Sequence, residues 1–153
     1  MAKFQFKLET VLKVKIRVEE LRQRELRYAE LQRDQAKRQL ELRQAEVVQA
    51  LNNFREDLTR RIDVREAVNY DRFIRFLNKQ VELAATHLAE CERQVAEARN
   101  KLIEAAKERQ ILEKLKQKAY EEYKLEEQRL ENKFLDELGT GGFIRQNSGQ
   151  GGG

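Results

Sequence analysis

Over residues 77–112, apolar side chains recur in alternating steps of four and three: Leu77, Val81, Ala84, Leu88, Cys91, Val95, Ala98, Leu102, Ala105, Arg109 and Leu112. Arg109 alone breaks the run, and the residues between are mostly charged or polar. A heptad seam sustained over about five repeats predicts a helix that buries one narrow stripe against another helix. So thin a stripe cannot shape a pocket, so function is to be sought in surfaces that touch other proteins.

Before this seam the pattern is less regular. Residues 3–8 alternate polar and apolar as a strand would, yet Phe4, Leu8, Val11 and Leu12 also share one side of a helix. The helical reading is preferred because an apolar line continues through Val14, Val18, Leu21 and Tyr28. The line then slips by one residue to Leu26, Ala29, Ala36, Leu40, Val47, Ala50 and Phe54, with Arg33 and Arg43 intruding. A straight helix drifts against a strict seven-residue repeat, so a slip of this kind is expected.

The weak point is residues 59–69. Thr59, Arg60 and Arg61 are polar, and Asp63-Val64-Arg65-Glu66 has the spacing of a capping box that opens a new helix. The expectation is an all-α, long antiparallel two-helix coiled-coil hairpin, with helix one over residues 4–58, the turn over 59–69 and helix two over 70–138. A monomer would suffice for this arrangement. Phase alone leaves a competitor open, a single unbroken helix zipped into a parallel dimer about 200 Å long.

Composition fits either version. Charged residues make up 38% of the 153, Pro and Trp are absent, and all seven Gly lie at or beyond Gly139. That is the profile of a long helix with nothing to interrupt it, followed by a Gly-rich tail over residues 139–153 that reads as flexible, with Phe143 and Ile144 its only candidates for docking. The net charge of +4 is modest because acidic and basic residues interleave. A lone Cys91 on the seam excludes an internal disulfide and suits a reducing cytosol. The alternating start does not read as a signal peptide, and no stretch approaches a membrane span.

With unequal helices, residues 124–138 would project about 20 Å past Phe4 as a single helix still carrying Leu125, Leu130, Phe134, Leu135 and Leu138. A lone helix with an apolar side needs a partner. Near the turn, Phe54, Tyr70, Phe73 and Phe76 gather more rings than two helices can hide, and Phe73 and Phe76 cannot both face the seam with Leu77. A second docking site is expected there.

Chemistry is not expected. His87 is the single histidine and reads as a solvated helix residue, no Gly-rich loop could cradle a phosphate, and one Cys with one His makes no zinc site. No cofactor, metal or small-molecule ligand is implied. Lys13, Lys15, Arg17, Arg22, Arg24 and Arg27 point in several directions and alternate with Glu19, Glu20 and Glu25, which argues against nucleic acid.

Four segments in order resemble one family. Phe4-Gln5-Phe6-Lys7-Leu8-Glu9-Thr10-Val11-Leu12, Asn69-Tyr70-Asp71-Arg72-Phe73-Ile74-Arg75-Phe76-Leu77, Leu112-Glu113-Lys114-Leu115-Lys116 and Leu135-Asp136-Glu137 are together similar to FliJ, the small coiled-coil component of flagellar type III export. Counterparts in injectisomes look alike. The resemblance implies a hairpin similar to the central stalk of rotary ATPases, non-enzymatic, cytoplasmic and peripheral to the inner face of the membrane at the flagellar base. Its implied partners are the export ATPase FliI with its regulator, the gate protein FlhA and export chaperones. The residues expected to meet the gate are Phe73, Leu77, Gln80 and Ala84, with Val47, Ala50 and Phe54 across the pair. Those expected to meet the ATPase ring are Phe4, Leu8, Leu125, Leu130, Phe134, Leu135 and Leu138.

Overall fold

The computed structural model describes residues 3–150, with side chains placed through residue 141. Two helices account for nearly all of it: α1, Glu9–Thr59, and α2, Val64–Gln150. No strand occurs among the described residues. The fold is an all-α helical hairpin, so the parallel dimer built on one unbroken helix is set aside.

Four residues make the reversal. The Thr59 hydroxyl donates to the Glu56 carbonyl at 2.6 Å and the Arg60 amide donates to the Asp57 carbonyl at 3.1 Å, closing α1. Arg61 then takes φ 62°, a left-handed value usually given to Gly because a Cβ crowds the following carbonyl. Asp63 opens α2 as its N-cap, its Oδ1 accepting the Glu66 amide at 2.8 Å. The turn is thus shorter than the sequence suggests: α2 begins at Val64 rather than near residue 70, because the Asp63 cap lets the helix start at once.

The chain divides into two compact units, to both of which α1 and α2 contribute. Residues 17–106 form one, holding the turn. Its buried positions are Ala29, Ala36 and Ala50 on α1 and Leu77, Cys91, Val95, Ala98 and Ala105 on α2. Ala29 packs with Val95 and Ala98, Leu26 leaning on them, while Phe54 meets Tyr70 near the turn, so the helices run antiparallel. With Ala at all three α1 positions, no single contact contributes much and cohesion comes from length.

The other unit comprises residues 1–16 and 107–153. Leu12 and Leu112 are its buried anchors, and two cross-helix ion pairs flank them, Lys15–Glu108 at 2.9 Å and Glu9–Lys116 at 2.8 Å. These pairs are partly exposed and set register more than stability.

Three expectations need correction. First, α1 starts at Glu9, not at residue 4: Phe4 lies before the helix because its ring packs against Tyr120 and Tyr123, with centroids 5.3 and 5.5 Å away. Second, the seam on α1 does not slip. It holds one register through Leu12, Glu19, Leu26, Arg33, Leu40, Val47 and Phe54, all buried or half-buried. Val14, Leu21 and Tyr28 stay exposed instead, at 50%, 47% and 66%. Lys15 can sit on the seam because Glu108 meets its ammonium while its stem covers apolar surface. Third, α2 continues through Gln150 where a flexible tail was expected from residue 139. Gly disfavours a helix by about 1 kcal/mol but does not block it sterically as Pro does. Phe143 and Ile144, the tail's candidates for docking, lie outside the described side chains.

Candidate docking surfaces

Near the turn the expected gate-facing residues separate by burial. Leu77 and Ala50 are 5% and 4% exposed, so they belong to the packing between the helices. Val47, Phe54, Gln80 and Ala84 are half-buried. Phe73 is half-exposed and Phe76, one position from Leu77, is 57% exposed. Helical geometry explains the division: Ile74 and Leu77, three apart, turn inward together, which carries Phe73 and Phe76 outward.

The surface around Phe73 is braced from below. The Tyr70 ring lies 5.0 Å from that of Phe54, and the Tyr70 hydroxyl donates a hydrogen bond to the Asp57 carboxylate. That bond, with lesser contributions from desolvation and from the charges of Asp57, Glu66 and Glu56, pushes the Tyr70 hydroxyl above its ordinary value. A shallow groove of about 370 Å³ lined by Asp57, Glu66, Asn69, Tyr70 and Phe73 runs beside it. Leu58, Val64 and Val68 are exposed close by in sequence, at 51%, 79% and 42%. Val64 and Val68 fall in the turn expected over residues 59–69, whereas they stand on α2, which Asp63 caps; Leu58 lies in the last turn of α1.

The unit bearing residues 3–16 offers a different surface. Phe4 is half-buried against Tyr120 and Tyr123, and the Lys124 ammonium lies 5.6 Å from the Tyr120 ring. Leu8, 40% exposed, joins Phe4, Phe6, Leu115 and Tyr123 in lining an open cleft of about 950 Å³. Past Tyr123 every described residue except Glu127 and Gly141 is exposed. Leu125, Leu130, Phe134, Leu135 and Leu138 are 53–66% exposed on a helix that no other described segment covers. Arg129 holds the Glu126 carboxyl below the ordinary carboxylate range through a 2.6 Å contact, so the ion pairs of this stretch lie within one helix.

Nothing at either surface resembles a reaction centre. His87 is exposed with its Nε2 3.7 Å from the buried Cys91 Sγ, and no three metal-ligating side chains cluster among the described residues. No described helix is long and apolar enough to cross a membrane.

One comparison bears on identity. The family model described as flagellar FliJ protein matches residues 4–148. The chain belongs to the FliJ family. It is accordingly a component of flagellar type III protein export, and the resemblance drawn from four segments extends over almost the whole FliJ-family chain. No curated protein and no solved structure matches it.

Proposed function

We propose that this FliJ-family protein is a non-enzymatic linker that binds and stimulates the hexameric export ATPase FliI through residues 124–138 and contacts the export gate FlhA through the surface around Phe73 and Phe76. The observation that carries the reading is the pair of separate apolar surfaces left unpartnered, one of them a bare helix. A soluble helix with five large apolar residues in the open is stabilised when an apolar groove covers it, the mode by which an amphipathic helix docks. The rings beside the turn are anchors of the kind that dominate protein contacts. In this reading the protein works at the cytoplasmic face of the membrane, held there by its partners, as a monomer and without a cofactor. Contacts with the ATPase regulator and with export chaperones would use the remaining charged faces.

Leu77 and Ala50 act in this scheme by holding the helices together beneath the gate surface, and Phe4 by packing on Tyr120 and Tyr123 at the root of the bare helix. The test is ATP turnover by purified export ATPase with and without the chain, alongside capture of the gate's cytoplasmic part by the chain and by its Phe73→Ala variant. Stimulation by the intact chain, with gate capture lost in the variant, is the expected result. A chain that changes neither turnover nor gate retention contradicts the proposal.

A further inference from the structure

The face presented by residues 124–138 is not only apolar. At 100° per residue, Leu130, Phe134 and Leu138 fall on one side of α2, and Glu126, Glu127, Glu131 and Glu137 fall among or beside them. Arg129 and Lys133 lie to the flank. Residues 121–137 hold seven carboxylates against three cations, within a chain whose net charge is +4. Arg129 and Lys124 engage Glu126 and Glu127, whereas Glu131 and Glu137 enter no ion pair among the described residues.

Covering Leu130 and Phe134 therefore brings carboxylates against the covering surface. An apolar cover alone would strip their hydration without compensation, which is unfavourable for a charged group. Anionic lipid and nucleic acid would both repel the segment. We infer that the partner's socket is a basic one: apolar pockets for Leu130 and Phe134, ringed by Lys or Arg side chains that meet Glu127, Glu131 and Glu137. The inference rests on the reading that this segment enters the ATPase and adds the chemistry of the surface that receives it. Cations positioned to meet glutamates along one side of a helix would also fix its rotation in the socket, which apolar contacts alone do not.

The experiment compares the full chain with a Glu127→Gln, Glu131→Gln, Glu137→Gln variant and with a Leu130→Ala, Phe134→Ala variant, reading stimulation of the purified export ATPase against chain concentration at low and at moderate salt. Both variants should keep their fold, because Leu130, Glu131, Phe134 and Glu137 are exposed and Glu127 pairs only along its own helix with Lys124; circular dichroism checks this. For the full chain the half-maximal concentration should rise about tenfold with salt. The Gln variant should need about tenfold more protein at low salt and lose most of that salt dependence, while the Ala variant keeps the salt dependence at weaker affinity. A Gln variant that stimulates as well as the full chain, or better, overturns the basic socket and leaves the ATPase reading standing. No stimulation by the full chain overturns both. A salt-sensitive dimer of the chain alone, abolished by the Gln substitutions, would assign the face to a second copy and likewise overturn the proposal.

Discussion

The surface beside the turn and the bare helix at residues 124–138 both expose large apolar side chains, yet they are built in opposite ways. Phe73 and Phe76 stand on a helix capped by Asp63, pinned by the Tyr70–Asp57 hydrogen bond and backed by buried Leu77. Leu130 and Phe134 stand on a helix backed by no other described segment. The first surface is preorganised, so a partner gains its contacts without having to order it. The second is held by intrahelical bonds and ion pairs such as Arg129–Glu126 with no packing beneath, so it opens more readily than the first until a partner covers it. Exposure alone does not describe a docking site; what lies beneath the exposed residue decides whether a substitution changes binding or stability.

Truncation after Tyr123 is the most drastic way to break the comparison. It removes the bare helix and spares the Phe4 contacts, so ATPase stimulation should vanish while the thermal midpoint of the remaining hairpin stays within a few degrees. Normal stimulation by the truncated chain would contradict the assignment. Next comes Leu77→Ala, which should cost about 2–4 kcal/mol of folding stability by opening a cavity under the turn-side surface, measurable by denaturant unfolding. Phe73→Ala should instead change stability by less than about 1 kcal/mol while weakening gate binding about tenfold. Equal effects from the two would show that burial does not separate support from contact here.

Smaller effects sharpen the bracing. Asp63→Ala should destabilise by about 1 kcal/mol through loss of the α2 cap. Arg61→Gly should stabilise by a few tenths to 1 kcal/mol, because Gly occupies a positive φ without a Cβ clash. Acid should have a graded, modest effect. Glu90 and Glu126 are held below the ordinary glutamate range, chiefly by hydrogen bonds from Arg93 and Arg129, so their contribution is complete above that range and is lost as pH falls through the lowered values. Helicity followed by circular dichroism at low salt should decline in that acid window, and high salt should blunt the change.

How legible all this was differed by region for physical reasons. The α2 seam could be read directly because its apolar residues have no rival line. On α1 the periodicity misled: Val14, Leu21 and Tyr28 form a more apolar stripe than the true seam, which admits Lys15, Glu19, Arg33 and Arg43. Register there is set by what α2 presents, such as Glu108 to Lys15, and a single helix's sequence does not contain that information. The Asp63–Glu66 spacing located the turn, since a cap is local chemistry. Apolar character near the turn was visible too, but which residues were contacts and which were support was not. Phe73 and Leu77 are four apart and looked to share a face, and only pairing with α1 buries one and leaves the other out. The bare helix was foreseen from the unequal lengths of the two helices, whereas its continuation through Gln150 was not, because Gly was read as a stop.

Hydrogen exchange on the chain alone, with the export ATPase and with the gate's cytoplasmic part tests the two-surface account most directly. The account predicts fast exchange over residues 124–138 in the free chain, protection there and not over residues 60–76 when the ATPase is added, and the converse with the gate. Protection by the ATPase confined to residues 60–76, or slow exchange over 124–138 before any partner is present, would contradict it.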